Sequence, residues 1–133
     1  MALGLSATVS NDFLEWLFNA SAMATAPAVP WIQLHTADPG AAGTTAVAGN
    51  ATRKDLSAAM GTAASGAITN TAAITWTTGE VATSEVYTHW SIFDASTAGN
   101  FLLSGTMTAN AVTVGDEFTI PIGDLDVSLS TAA

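Results

Sequence analysis

Residues 31–40, WIQLHTADPG, contain the change of pattern that decides the fold. Between Trp31 and His35, successive residues fall on alternating faces, as a strand with two differently occupied sides requires. The Asp-Pro-Gly that follows is a turn signal, because Pro39 presets φ for a turn and Gly40 accepts a positive φ. This stretch therefore predicts a β-strand that stops at a turn.

The same alternation recurs further along the chain. Its best instance is EVYTHWSIF at 85–93, where aromatic residues on both faces indicate a central strand. Gly, Asp and Asn turns separate the other predicted strands, which cover residues 51–60, 67–78, 101–108, 112–114, 118–122 and 125–129. Seven or eight short strands of this kind predict a mainly β fold, either an antiparallel β-sandwich or a jelly-roll-like barrel.

One helix is predicted ahead of the strands, over residues 6–19. Val9, Phe13 and Leu17 share one helical face with Trp16. Apolar residues at 13, 14, 16, 17 and 18 nevertheless cover more than one face. The helix therefore packs either in its own core, the reading we favour, or on another subunit.

Length and composition predict one domain with few charges. The 133 residues suit a single domain at 1–133, with the helix at 6–19, the β-sandwich at 29–129 and a tail at 130–133. Only 10% of residues are charged, against roughly 25% in a typical soluble domain. A surface of small residues suits a protein packed against neighbours, although a soluble domain with such a surface is the alternative.

The charge balance excludes several partners. A net charge of −9 argues against nucleic acid and anionic lipid. Cysteine is absent, which removes disulfides and thiolate metal sites and is compatible with synthesis in a reducing cytoplasm. We also expect no membrane insertion and no standard secretion signal, since no apolar run approaches a membrane span.

Two sets of residues receive predicted roles. The candidate core consists of Trp31, Ile32, Leu34, Trp76, Trp90 and Ile92. The candidate interaction loop consists of Asp38, Pro39, Gly40, Ala41, Ala42, Gly43, Thr44 and Thr45, together with the cations Arg53 and Lys54. We expect deletion of residues 41–48 to weaken assembly without unfolding the domain, and His35→Gln to leave assembly nearly intact.

Residues suited to catalysis are few, so the sequence predicts no enzyme and no cofactor or metal. His35 and His89 lie in strand patterns beside Trp residues, where a hydrogen-bonded structural role is favoured over a base. A triad with Asp38 or Asp94 has no supporting nucleophile signature. Two further carboxylates, in GDLDV at 123–127, fit a turn and an edge strand better than a cation site.

Five segments together resemble a family of small virion structural proteins of tailed phages, often labelled tail-fibre or minor structural proteins. They are LGLSATVSNDFLEWLF (3–18), WIQLHTADPG (31–40), ITNTAAITW (68–76), THWSIFDASTAGNFLLSG (88–105) and GDEFTIPIGDLDVSL (115–129). The segment ATRKDLSAAM at 51–60 departs from the family pattern, which has a more clearly alternating strand there. The resemblance implies no catalytic residues.

Within such a virion, the leading hypothesis is a capsid decoration (cement) protein on the outer surface of the major capsid protein lattice. We expect a homo-oligomer, with a trimer favoured, and a capsid position in preference to the tail. A tail or tail-fibre component is the alternative. The second alternative is a host-glycan-binding module that uses Trp31, Trp76 or Trp90.

Overall fold

The computed structural model describes residues 4–50 and 52–132. Residues 1–3, 51 and 133 lie outside it; they belong to the predicted domain 1–133, the predicted strand 51–60 and the predicted tail 130–133. The described elements are β1 (Gly4–Leu5), α1 (Ala7–Asn19), β2 (Trp31–His35), β3 (Lys54–Asp55), β4 (Ala67–Thr69), β5 (Ile74–Trp76), β6 (Glu85–Phe93), β7 (Phe101–Val112), β8 (Phe118–Ile120) and β9 (Asp126–Ser128). The predicted mainly β fold with one N-terminal helix is confirmed, with nine described strands instead of seven or eight.

The strands form one large sheet and two small ones, all with antiparallel pairing. The large sheet has the order β1-β7-β6-β2-β3, and the two-stranded sheets are β4-β9 and β5-β8. β6 is the middle strand, as its aromatic residues on both faces predicted. The β5-β8 pair and the large sheet supply side chains to one core, so the molecule is a small β-sandwich.

The core lies between these sheets. Five of the residues assigned to it from the sequence are buried, namely Ile32, Leu34, Trp76, Trp90 and Ile92. Both buried indoles satisfy their N–H groups, since Trp76 Nε1 donates to the Thr52 carbonyl at 2.8 Å and Trp90 Nε1 donates to the Thr106 carbonyl at 3.1 Å. Trp31 is the exception: it begins β2 and is only half-buried.

β6 departs from simple alternation, because Tyr87 and Trp90 both enter the core although they are three residues apart. The register with β7 shifts between the pairs Tyr87–Asn110 and His89–Thr106. An advance of two residues along β6, from 87 to 89, is therefore paired with an advance of four residues along β7, from 110 to 106. Such an irregularity twists a strand and redirects its side chains. The regular alternation predicted for residues 85–93 is therefore wrong around position 88.

Three further regions differ from the predicted strands. Residues 101–112 form one continuous strand, and of the predicted strand 51–60 the described residues 52–60 contribute only the two residues of β3. The predicted strand 67–78 divides into β4 and β5, which lie in different sheets.

Buried Asn70 explains this break. Its Nδ2 donates to the carbonyls of Ala72 and Pro121, and its Oδ1 accepts from the N–H groups of Gly123 and Leu125. These four hydrogen bonds satisfy both donors and the acceptor of the Asn70 amide. The side chain thereby links residues 70–72 to residues 121–125 where the chain turns between the two sheets.

Candidate assembly surfaces

The predicted interaction loop is folded onto its own sheet. The Thr36 N–H donates to the Ala46 carbonyl at 2.9 Å, and the Ala48 N–H donates to the Leu34 carbonyl at 3.0 Å. Ala48 itself is 3% exposed and belongs to the core. Residues 36–50 therefore form part of the domain, and the expectation that residues 41–48 can be deleted without unfolding it conflicts with these contacts.

The residues predicted for this surface differ in exposure. Ala41, Ala42, Thr44 and Thr45 are exposed, Asp38, Gly40, Arg53 and Lys54 are partly buried, and Pro39 and Gly43 are buried. Gly43 sits against the ring of Phe101, where a Cβ would collide with that ring. What remains accessible is a strip of small side chains with no charge.

His35 fixes the loop to the sheet. Its Nδ1 lies 2.8 Å from the Thr45 carbonyl oxygen, and its Nε2 lies 2.7 Å from Ser91 Oγ. A carbonyl only accepts, so Nδ1 carries the proton and Nε2 accepts from the Ser91 hydroxyl. Burial lowers the pKa of His35 below its ordinary value of 6.5, which keeps the ring neutral.

This His–Ser pair has the spacing of a catalytic base and nucleophile, but it lacks the substrate access and the orienting carboxylate of a catalytic site. His35 and Ser91 are both 0% exposed, so a substrate has no access to them. The group that orients the ring is the Thr45 carbonyl, whereas catalytic triads use a carboxylate in that place. The arrangement matches the structural histidine predicted from the sequence.

Arg53 also bonds within the chain. Its Nη1 donates to the carbonyls of Ala95 and Ala98 at 2.8 and 2.7 Å, and its Nε donates to Gln33 Oε1 at 3.2 Å. Its guanidinium carbon lies 3.5 Å from the centroid of the Phe93 ring. One side chain thus joins β2, the end of β6 and the 94–100 turn.

Lys54 pairs with Glu80 at 2.6 Å, and this contact holds the pKa of the Glu80 carboxyl below its ordinary value. The chain contains one arginine and one lysine, Arg53 and Lys54. Because both make contacts inside the domain, neither is presented to a partner as a free cation.

α1 begins and ends at defined caps. Ser6 is the N-cap: its Oγ accepts from the Val9 N–H, while its own N–H donates to the Leu102 carbonyl in β7. Ala20 ends the helix with a φ of 54°. The connector is tied back to the helix by the Thr25 N–H, which donates to Asp12 Oδ2 at 2.7 Å. The helix is therefore anchored at its first turns while its last turn projects.

No residue of α1 is buried. Its five large apolar side chains form a surface that we call the α1 patch, with exposed fractions of 36% for Phe13, 50% for Leu14, 51% for Trp16, 53% for Leu17 and 75% for Phe18. This amounts to on the order of 500 Å² of exposed apolar surface, comparable with the largest patch on a typical monomer, which is often functional. The favoured prediction that this helix packs in its own core holds for Val9, which packs against the core, but is wrong for these five residues. Five apolar residues within six positions cannot all face one sheet. That crowding is the feature of the sequence that indicates an apolar surface left outside the core.

An apolar groove of about 260 Å³ lies beside the helix. α1 contributes Val9, the connector contributes Met23 and Ala26, and the strands contribute Leu103 and Val127. None of the described residues that line this groove is charged. An apolar recess and an exposed apolar helix therefore occur on the same chain.

Of the three tryptophans proposed from the sequence to stack on sugars, Trp31 is half-buried at the start of β2 and the other two are buried. Trp76 is 0% exposed and Trp90 is 6% exposed, so neither offers a ring face. The exposed indole is that of Trp16, in the α1 patch.

Residues 4–50 and 52–132 show neither a cluster of metal ligands nor a membrane-spanning helix. They contain no group of three or more His, Asp or Glu side chains placed to hold a metal ion. They contain no helix long and apolar enough to cross a membrane.

Comparison with known proteins places the chain in a family. A family profile described as podophage GP4 fiber I protein gp80 matches residues 4–128. No curated protein matches the chain with significant similarity. The matched range includes α1, all nine strands and the 36–50 loop, and it confirms the resemblance to tailed-phage virion proteins. The chain belongs to the Gp80 family of phage fibre proteins, a family of virion structural proteins.

Proposed function

We propose that this protein is a structural subunit of a phage fibre and that the α1 patch attaches it to the rest of the virion. The family description supports the fibre, and the exposed helix supports the mode of attachment. No catalytic step is part of the proposal, because the base-like pair His35 and Ser91 is sealed inside the domain and serves to hold the loop.

The observation that carries this proposal is the exposure of the α1 patch. Covering on the order of 500 Å² of apolar surface stabilises a contact by roughly 12 kcal/mol before the costs of association, which are about 4–15 kcal/mol. A standard interface buries about 800 Å² on each partner. The α1 patch alone is more than half of that area, so modest additional contacts complete a stable interface.

Capsid decoration, the position favoured from the sequence, is our second candidate. The low charged fraction of 10% and the α1 patch suit packing against a lattice of major capsid protein as well as they suit a fibre. We place the fibre first because the family description names a fibre protein.

Labelling of purified virions separates the two positions. Antibodies against this chain, detected with gold particles by electron microscopy, are expected to mark fibres only. Gold spread over the capsid shell would reject the fibre and favour decoration, and absence of the chain from purified virions would reject both.

A substitution tests the attachment. Virions that carry Phe18→Ser are expected to contain fewer copies of the chain by quantitative mass spectrometry. Ile122→Ser is the matched control, because Ile122 is also a well-exposed apolar residue, at 65%, but lies in the turn after β8. Equal copy numbers in both variants would refute attachment through α1.

A further inference from the structure

We propose that a cleft beside β7 binds an extended segment of a partner protein that carries lysine or arginine. This cleft, which we call the β7 cleft, has a volume of about 390 Å³. Met107, Thr108 and Asn110 of β7 form one wall, and residues between 118 and 125 form the other. None of the described residues that line it belongs to α1. The site is therefore additional to the attachment surface proposed above and does not depend on it.

The lining of the β7 cleft combines buried apolar residues with exposed polar ones. Trp90 and Phe118 supply part of the buried lining, at 6% and 5% exposed. Thr108, Asn110 and Asp124 line the cleft and are exposed. Ligand sites commonly have this composition, because apolar surface stabilises the complex while a few polar groups fix the orientation of the ligand.

β7 presents open backbone to this cleft. Residues 107–109 lie opposite Thr88 alone, since the register with β6 shifts there, so they cannot all pair with β6. On its other side β7 pairs with β1, which covers only Leu103 and Ser104. In the part of the chain that the structure describes, no strand continues this pairing along residues 107–111. Backbone N–H and C=O groups of β7 are therefore open to a partner.

This edge of β7 also lacks the usual protection against pairing. Natural edge strands commonly carry charged side chains or proline, which discourage the addition of another strand. Residues 108–111 are Thr-Ala-Asn-Ala, and all four are exposed. An extended segment can therefore lie along β7 and form hydrogen bonds through its main chain, which is a common mode of peptide recognition.

Charge decides which kind of segment fits. Asp124 is the one charged residue among the described residues that line the β7 cleft, and Asp126 lines an adjoining recess that shares Trp90 with it. Arg53 and Lys54 are bonded elsewhere in the domain, so no described lysine or arginine neutralises these two exposed carboxylates. An acidic segment, including one from a second copy of net charge −9, would be repelled. A basic segment is attracted, and its affinity is expected to fall as salt is raised.

Selection from a displayed library of random peptides of about ten residues, longer than a typical strand, tests the proposal with the purified chain. The selected peptides are expected to be enriched in lysine and arginine. Asp124→Asn should weaken their binding about three- to tenfold. Asp55→Asn is the matched control: it removes the same charge from β3, the opposite edge strand of the large sheet, and its amide oxygen can still accept from the Ser57 N–H.

Selection of no peptide, selected peptides without basic enrichment, or equal binding by the Asp124→Asn and Asp55→Asn chains would each overturn the proposal. Circular dichroism of each variant verifies that it is folded.

Hydrogen exchange then locates the bound segment. A selected peptide is expected to slow exchange at the amides of residues 107–111. Because alternate N–H groups of a strand point to opposite sides, methylating one alternate set of main-chain nitrogens in the peptide should abolish binding, while methylating the other set should be tolerated. Protection confined to α1, or equal binding by the two methylated peptides, would overturn pairing with β7.

Discussion

Replacing Arg53 by lysine tests whether this residue serves the fold or an interface. The change keeps the charge but removes the planar fork that donates to Ala95, Ala98 and Gln33 and stacks on Phe93. A lysine ammonium in this place can reach one of these acceptors. Two lost hydrogen bonds at about 1 kcal/mol each and a lost cation–π contact of about 0.5–1 kcal/mol predict a loss of about 2–3 kcal/mol in the free energy of unfolding.

Urea denaturation followed by tryptophan fluorescence measures this loss, and thermal unfolding should show a midpoint lower by about 10 °C. Lys54→Gln is the control: the Lys54 ammonium donates to Glu80, to which a glutamine amide can still donate, so this change should cost about 1 kcal/mol. An Arg53→Lys chain with unchanged stability would refute the structural role and return Arg53 to the list of interface residues.

Three further predictions concern the interior of the domain. Gly105→Ala should lower the free energy of unfolding by about 1–3 kcal/mol, because its Cβ would fall on the Trp90 ring, whereas Gly79→Ala has open space and should be nearly neutral; equal midpoints in urea would contradict this. Burial lowers the pKa of His35, so the neutral ring contributes stability that is present above pH 6.5 and is lost as the pH falls. Between pH 7.5 and 5.5 the free energy of unfolding of the wild-type chain should therefore fall by up to about 1 kcal/mol more than that of His35→Gln. Parallel pH profiles of the two chains would refute this. Deletion of residues 41–48 should abolish cooperative unfolding, because it removes the core residue Ala48 and the carbonyl that His35 binds, whereas Ala42→Ser should change little; a deleted chain that still unfolds cooperatively would show that the loop is dispensable.

Periodicity in the sequence predicted the framework of the sheet. The alternation at 31–35 and 85–93 identified two strands that pair along their length, from Trp31–Phe93 to His35–His89. In β2 both faces are buried, and the alternation arises because Ile32 and Leu34 enter the core while Gln33 and His35 are hydrogen-bonded to Arg53 and Ser91.

Periodicity failed where partners distant in the sequence decide the backbone path. Asn70 breaks the predicted strand 67–78 because its acceptors and donors lie at Ala72 and at residues 121–125, about fifty positions away. The shift near Tyr87 depends on how β7 pairs with β6. Neither partner is visible in the local pattern.

The exposure of the 41–50 loop and of the helix was predicted less well than the strands, for a similar reason. The 41–50 loop is poor in charge and bulk, which resembles an interaction loop, but its backbone finds partners in residues 34–36. The helix was assigned to the core because Val9, Phe13 and Leu17 share a face, although the crowding of apolar residues at 13–18 already pointed to a second surface. Composition alone does not show which apolar surface the rest of the chain covers.

What covers α1 in the assembled virion decides whether the chain assembles through this helix. A cryo-electron microscopy map of intact particles resolves this directly at Phe13, Trp16 and Phe18. We predict protein density packed against the α1 patch, with Phe18 removed from solvent. A map in which this chain is in place and the α1 patch faces solvent would contradict assembly through the helix.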